Sequence, residues 1–213
     1  MIYVDIHTHR LTSENDVVSV YNLSPKETVA AERSTFYSMG IHPWEIDGLS
    51  TDSILLLEKN IDDDRVKFIG ECGFDKNIST SYEQQLHYFS LQVEFSEQKQ
   101  KPLIIHCVGY FNELIRLRNN RKPSQPWIIH GFRGKPSLAS QLLKAGFDLS
   151  FGEKFNAQSV LITPLEHLFI ETDESLLSIK EIYHNISLVK KCDFSELAAG
   201  VDLLSVKTHF KLL

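Results

Sequence analysis

Eight short β-prone runs, set between stretches of helical spacing, limit what this chain can fold into more than any other feature. They fall at residues 3–7, 17–21, 36–41, 67–70, 103–106, 127–130, 147–151 and 168–171. Several read as unbroken Val, Ile, Leu and Phe, the pattern of strands buried on both faces. Between them, Tyr82, Leu86, Phe89 and Val93 form one stripe of a helix over 82–100, with Ser81 and Gln84 as its capping box. A second helix is expected over 137–145, from just after Pro136 to a C-cap at Gly146. Ile179, Ile182, Ile186 and Val189 share a third face, and Ser195 is placed to cap a last helix carrying Leu197, Val201 and Leu204. Strands alternating with helices predict a parallel sheet covered by helices, and eight of them predict an α/β chain of the (β/α)8 TIM-barrel type, one domain over residues 1–213. One link is too short. A parallel crossover needs about a dozen residues, and residues 10–16 do not supply them. Either the first crossover helix is missing or the second strand is misplaced.

The strand ends carry the chemistry. The first run leads into His7-Thr-His9, and residues at i and i+2 on a strand point to one side. Later runs end at Glu71, His106 and His130, and the last passes through Glu171-Thr-Asp173. In a barrel the C-terminal strand ends form the face where active sites sit. Imidazole and carboxylate without thiolate suit Zn, Mn, Mg or Fe, and His7, His9, Glu71, His106, His130 and Asp173 are enough for two ions sharing a carboxylate. A lone His after an apolar run is usually a hydrogen-bonded core residue. Several strand ends closing on ligand-type residues make the joint reading a metal site.

With those residues in hand, the chain resembles the TatD family of metal-dependent deoxyribonucleases, within the amidohydrolase-like barrels. The likeness rests on Asp5-Ile-His7-Thr-His9, Gly40-Ile-His42-Pro43, Gly70-Glu71-Cys-Gly73-Phe-Asp75, Pro102-Leu-Ile-Ile-His106, His130-Gly-Phe132-Arg-Gly134 and Glu171-Thr-Asp173, with weaker echoes at Gln92 and at Ser150-Phe-Gly152. The resemblance implies a two-metal hydrolase. His7, His9 and Asp173 would hold one divalent ion (Mg²⁺, Mn²⁺ or Zn²⁺), His106 and His130 the other, and Glu71 would bridge them. Asp173 would also orient or deprotonate the attacking water. His42, Arg133 and Lys154 are candidate contacts to a substrate phosphate, and Asp75 a residue that orients a ligand imidazole. Phe132 is a candidate for base stacking or for packing. Two positions depart from the family pattern: Val108 stands where a basic residue is common, and Glu174-Ser175 where Ser-Pro usually follows the Asp.

Charge narrows the partner. With 28 acidic against 22 basic residues and a net charge of −6, the chain is unsuited to coating nucleic acid by charge alone. An enzyme acting on DNA or a small phosphoester is not excluded, because bound ions supply positive charge locally. No run reaches the ~18 apolar residues of a membrane span, the N-terminal stretch lacks the pattern of a signal peptide, and Cys72, Cys107 and Cys192 are odd in number. A cytoplasmic protein with reduced thiols and no membrane partner is expected. Beside the phosphodiesterase reading stand a hydrolase of a small amide, lactone or phosphoester, and a non-catalytic metal-binding barrel.

Overall fold

The computed structural model describes residues 2–11, 14–29, 35–50 and 52–201. Eight strands lie in one sheet in sequence order: β1 (Tyr3–Thr8), β2 (Val17–Leu23), β3 (Thr35–Met39), β4 (Val66–Asp75), β5 (Leu103–Val108), β6 (Trp127–Ile129), β7 (Asp148–Phe151) and β8 (Leu168–Ile170). The helices are α1 (Asp52–Asn60), α2 (Tyr82–Lys99), α3 (Phe111–Arg121), α4 (Pro136–Lys144), α5 (Ala157–Ile162), α6 (Ile179–Lys190) and α7 (Phe194–Val201). Parallel strands taken in sequence order, with helices between them, are the (β/α)8 plan. None of the described helices is long and apolar enough to cross a membrane.

The second strand is where the sequence puts it. Tyr3 pairs in parallel with Val17 and Val4 with Val18, and no helix is described between β1 and β2. β4 runs further than expected, to Asp75, so Glu71 sits inside the strand. Gly70 and Gly73 make that possible: both have positive φ, and a Cβ on either would collide with the β5 backbone at Ile104 or His106.

Contacts divide the described residues into two compact units, one reaching to Tyr21 and resuming at Ile128, the other holding Asn22 and Phe36–Trp127. In the first unit, the sheet closes from β8 to β1. Asp173 N donates to His7 O at 2.9 Å and His9 N to Asp173 O at 3.3 Å. Tyr3 N donates toward β2, to Asp16 O at 2.8 Å, so the Val4 amide and carbonyl face the other way. The Tyr183 hydroxyl of α6 meets both: it accepts from Val4 N at 3.3 Å and donates to Val4 O at 3.0 Å. Tyr3 packs edge-on against Tyr183 at 5.4 Å and tilted against Phe194 of α7 at 4.9 Å, so α6 and α7 cover the first strand. Ile179, Ile182 and Ile186 are buried on α6 as the spacing predicts, and Val189 is half-buried. α7 starts two residues earlier than expected, and Asp193 rather than Ser195 caps it, its Oδ1 accepting from Glu196 N at 2.8 Å. A carboxylate is the better acceptor for a helix N-terminus. Leu204 lies outside the described residues.

In the second unit, α2 begins with the Ser81–Gln84 capping box and buries Phe89 and Val93. Its buried Gln92 clamps the chain leaving β3, accepting from Ile41 N at 2.7 Å and donating to Ile41 O at 3.2 Å. Gly40 allows this approach, because a Cβ there would lie 2.6 Å from Gly70 Cα and 2.8 Å from Gln92 Oε1.

Candidate metal centre

In the first unit, β1 delivers His7 and His9 to one oxygen of Asp173. His7 Nε2 is 3.8 Å and His9 Nε2 3.7 Å from Asp173 Oδ1, with His7 fully buried and His9 at 37% side-chain exposure. These separations exceed hydrogen-bond length. They are shorter than twice the ~2.0–2.2 Å bond that Zn²⁺ makes to N or O, so one ion can touch all three. Asp173 has φ +53, a left-handed conformation that Asp tolerates better than most residues. Its place is fixed by backbone pairing with His7 and His9 and by Thr172, whose N–H and hydroxyl donate to Asp5 at 3.0 and 2.7 Å. Burial pushes the Asp5 carboxyl up to about 7 against the pull of those bonds.

His130, which follows β6, lies over His7 at a ring separation of 4.5 Å, and its Nδ1 is 3.5 Å from Glu171 Oε1. Glu171 Oε1 also accepts from Gly131 N at 2.6 Å. Burial alone would raise the Glu171 carboxyl, but His130, His7 and Ser150 outweigh it and hold the group below its ordinary value. His130, Glu171 and Asp173 each bring a ligand atom within 4.8 Å of the others. Arg133 and Lys154 are exposed on a cleft of about 380 Å³ whose wall includes Glu171, Asp173 and Glu174.

In the second unit, Glu71 is the centre. Its amide donates to Asn22 Oδ1 at 2.8 Å, which also accepts from Ser38 Oγ at 2.9 Å. Glu71 Oε1 lies 2.9 Å from His106 Nδ1 and 3.1 Å from His42 Nε2. His42 Nδ1 accepts from Trp44 N at 3.2 Å, which puts the proton of a neutral ring on Nε2, facing Glu71. His42 is thus a donor to Glu71. For His106, Asp75 Oδ2 lies 3.3 Å from Nε2. With the ring proton on Nε2, facing Asp75, the Nδ1 lone pair turns to Glu71 Oε1 at 2.9 Å, an arrangement that suits a cation between them; with the proton on Nδ1, His106 donates to Glu71. Burial raises the Asp75 carboxyl, but the Asn77 amide, the Trp44 indole and His106 together bring it below its usual value.

Both groups suit a divalent ion: they bring imidazole nitrogens and carboxylate oxygens together, and a further carboxylate, Asp75, stands behind His106. The expected residues His7, His9 and Asp173 come together, as do His106 and Glu71, and His130 joins Glu171 and Asp173. Phe132 is 2% exposed and packs edge-on against Phe151 at 5.9 Å, so packing is its role. The Cys107 thiol is pushed up to about 12 by burial and is a poor ligand as it stands. Sequence reasoning left Glu171 without a role, although its i, i+2 spacing from Asp173 repeats that of His7 and His9. It also missed that Asp75 is held by Trp44, whose indole Nε1 donates to Asp75 Oδ2 at 2.7 Å. Nothing in the sequence flags that pair.

A (β/α)8 fold whose strand ends gather imidazoles and carboxylates is the build of a metal-dependent hydrolase. The family model described as TatD related DNase matches residues 5–189, and the chain belongs to that family. It is 29% identical over 160 residues to an uncharacterized metal-dependent hydrolase of Buchnera aphidicola, covering 70% of this chain and 60% of the relative. It is 27% identical over 150 residues to the 3'-5' ssDNA/RNA exonuclease TatD of Erwinia billingiae, covering 65% of this chain and 57% of that protein. The chain thus spans well under two thirds of both relatives. Among solved structures, a TatD homologue of Escherichia coli shares the fold with a TM-score of 0.81 at 17% identity, covering 99% of this chain and 98% of the other.

Proposed function

We propose that this chain is a phosphodiesterase that removes nucleotides from the 3' end of single-stranded DNA with two divalent ions. The observation that carries the reading is the approach of two imidazole nitrogens to one Asp173 oxygen at 3.7 and 3.8 Å, too long for hydrogen bonds and suited to an ion among them. Family membership supports the nucleic-acid substrate, and relatives named 3'-5' exonucleases support the polarity.

In this reading His7, His9 and Asp173 would hold one ion, His106 and His130 the other, and Glu71 would serve both. When bound, paired ions lower the pKa of a water and neutralise charge building on the phosphate. The chain does the rest. Asp173 orients the water and accepts its proton, and Glu171 holds the Gly131 amide beside His130. Asp75 keeps the Nε2 proton of His106 off the ligand side. Arg133 and Lys154 on the cleft are set to meet phosphate oxygens, whereas the Nε2–H of His42 is turned to Glu71. Three free cysteines fit work in a reducing cytoplasm.

The test is end-labelled single-stranded DNA with chelated protein given back Mg²⁺ or Mn²⁺, beside Asp173→Asn, with bound metal counted by mass spectrometry. A ladder growing from the 3' end, metal-dependent and absent in the variant, with about two ions per chain, is the expected result. Turnover of an ester or lactone by a metal-loaded protein that leaves DNA intact would overturn the substrate class.

A further inference from the structure

Trp44 is 67% exposed, whereas Trp127, the second tryptophan, is fully buried. Its exposed ring is not loose. Pro43 and Ile46 anchor the 3-10 turn Pro43–Gly48 in the protein, and His42 and Glu45 close a capping box around its start. The indole Nε1–H is already bound to Asp75 Oδ2 at 2.7 Å. The ring stands edge-on to His42 at 5.0 Å and at 6.1 Å from the His106 ring. The turn therefore fixes a large flat apolar surface in solvent, its one polar atom satisfied, next to the His42–Glu71–His106 group.

A residue needed only to donate to Asp75 requires an N–H, not a bicyclic ring held in water. We propose that Trp44 is a stacking platform for the nucleobase of the nucleotide whose phosphate lies at Glu71 and His106. This rests on the phosphodiesterase reading and names its substrate class: a nucleotide unit with a planar base, of any sequence. Every base offers a π-face, and such stacking costs about 1–3 kcal/mol when the aromatic is removed. Trp44 touches the base and not the reacting atoms, so it acts on binding. Its hydrogen bond to Asp75 is a separate, positioning role.

The two roles separate in the variants Trp44→Phe, which keeps a ring but no N–H, and Trp44→Leu, which keeps neither. The probes are fluorescein-labelled, phosphorothioate-linked oligothymidylate and its abasic counterpart, titrated by anisotropy against Mg²⁺-loaded full-length protein. Wild-type tryptophan emission is read in parallel. The proposal expects quenching by the base-bearing strand but not by the abasic one. It expects roughly tenfold weaker binding of the base-bearing strand by Trp44→Leu, near-wild-type binding by Trp44→Phe, and no change with the abasic strand. Equal affinity of Trp44→Leu and wild type for the base-bearing strand overturns it, whether or not that strand is cut. So does an equal loss on both strands, the result of a purely structural role. Base-dependent binding by a protein that cuts no phosphodiester keeps the platform and rejects the phosphodiesterase reading.

Discussion

One oxygen of Asp75 serves both Trp44 and His106: Oδ2 lies 2.7 Å from the indole nitrogen and 3.3 Å from His106 Nε2. The carboxylate is buried, and its other oxygen accepts from Asn77 N at 2.8 Å. Its position is therefore set from several sides.

Replacing that charge should act on metal affinity rather than on folding. Asp75→Asn keeps the volume but presents His106 with a neutral partner. A loss of about 10–100-fold in metal affinity or kcat/KM is expected, the range for residues behind a ligand imidazole. Isothermal titration of metal into the apo protein measures it, with a melting curve to show that the fold is intact.

Glu71→Gln tests the other side of His106. It removes the carboxylate charge while keeping an oxygen 2.9 Å from Nδ1 available in shape. Bound metal should fall and DNA hydrolysis should be lost. A variant with full metal content and wild-type cleavage would take Glu71 out of the centre.

Tyr183→Phe probes the first strand. It leaves the Val4 amide and carbonyl without the hydroxyl that both use. Buried backbone groups so abandoned cost about 1–3 kcal/mol, read as a lower denaturation midpoint with an unchanged slope. Activity per folded molecule should be preserved.

His167 gives a pH dependence far from the proposed ligands. Its Nδ1 is 2.7 Å from Asp148 Oδ1, and that bond raises the imidazole above its ordinary 6.5. A raised pKa in the folded state means stability that is full below the unfolded value and is lost as pH rises through the folded one. His167→Gln should therefore lower Tm clearly at about pH 5.5 and progressively less toward about pH 8.5, because a neutral imidazole no longer contributes the charge. A Tm difference that grows with pH would contradict the assignment.

All eight strands were legible because their buried faces impose short apolar runs that alternate with helical spacing. His7 and His9 were legible because strand geometry puts i and i+2 on one side. The extension of β4 through Glu71 was not, since Gly70 and Gly73 read as strand breakers until the close β5 backbone explains them. Asp193 was passed over for Ser195 because both are good caps and the boundary between them is decided by where α7 meets Tyr3 and Tyr183. The link from Trp44 to Asp75 joins residues 31 positions apart through side chains alone, and no local pattern announces such a pair.

The cover of β1 has a consequence for synthesis. The ribosome makes Tyr3 long before the rings that shield it, Tyr183 and Phe194. While the rest is being made, the first strand waits with an apolar flank bare, the kind of surface that recruits chaperones or seeds aggregation. Co-translational covering of β1 is therefore gated by α6 and α7, and a ribosome stalled before residue 183 would present a nascent chain in which β1 is still unsheathed.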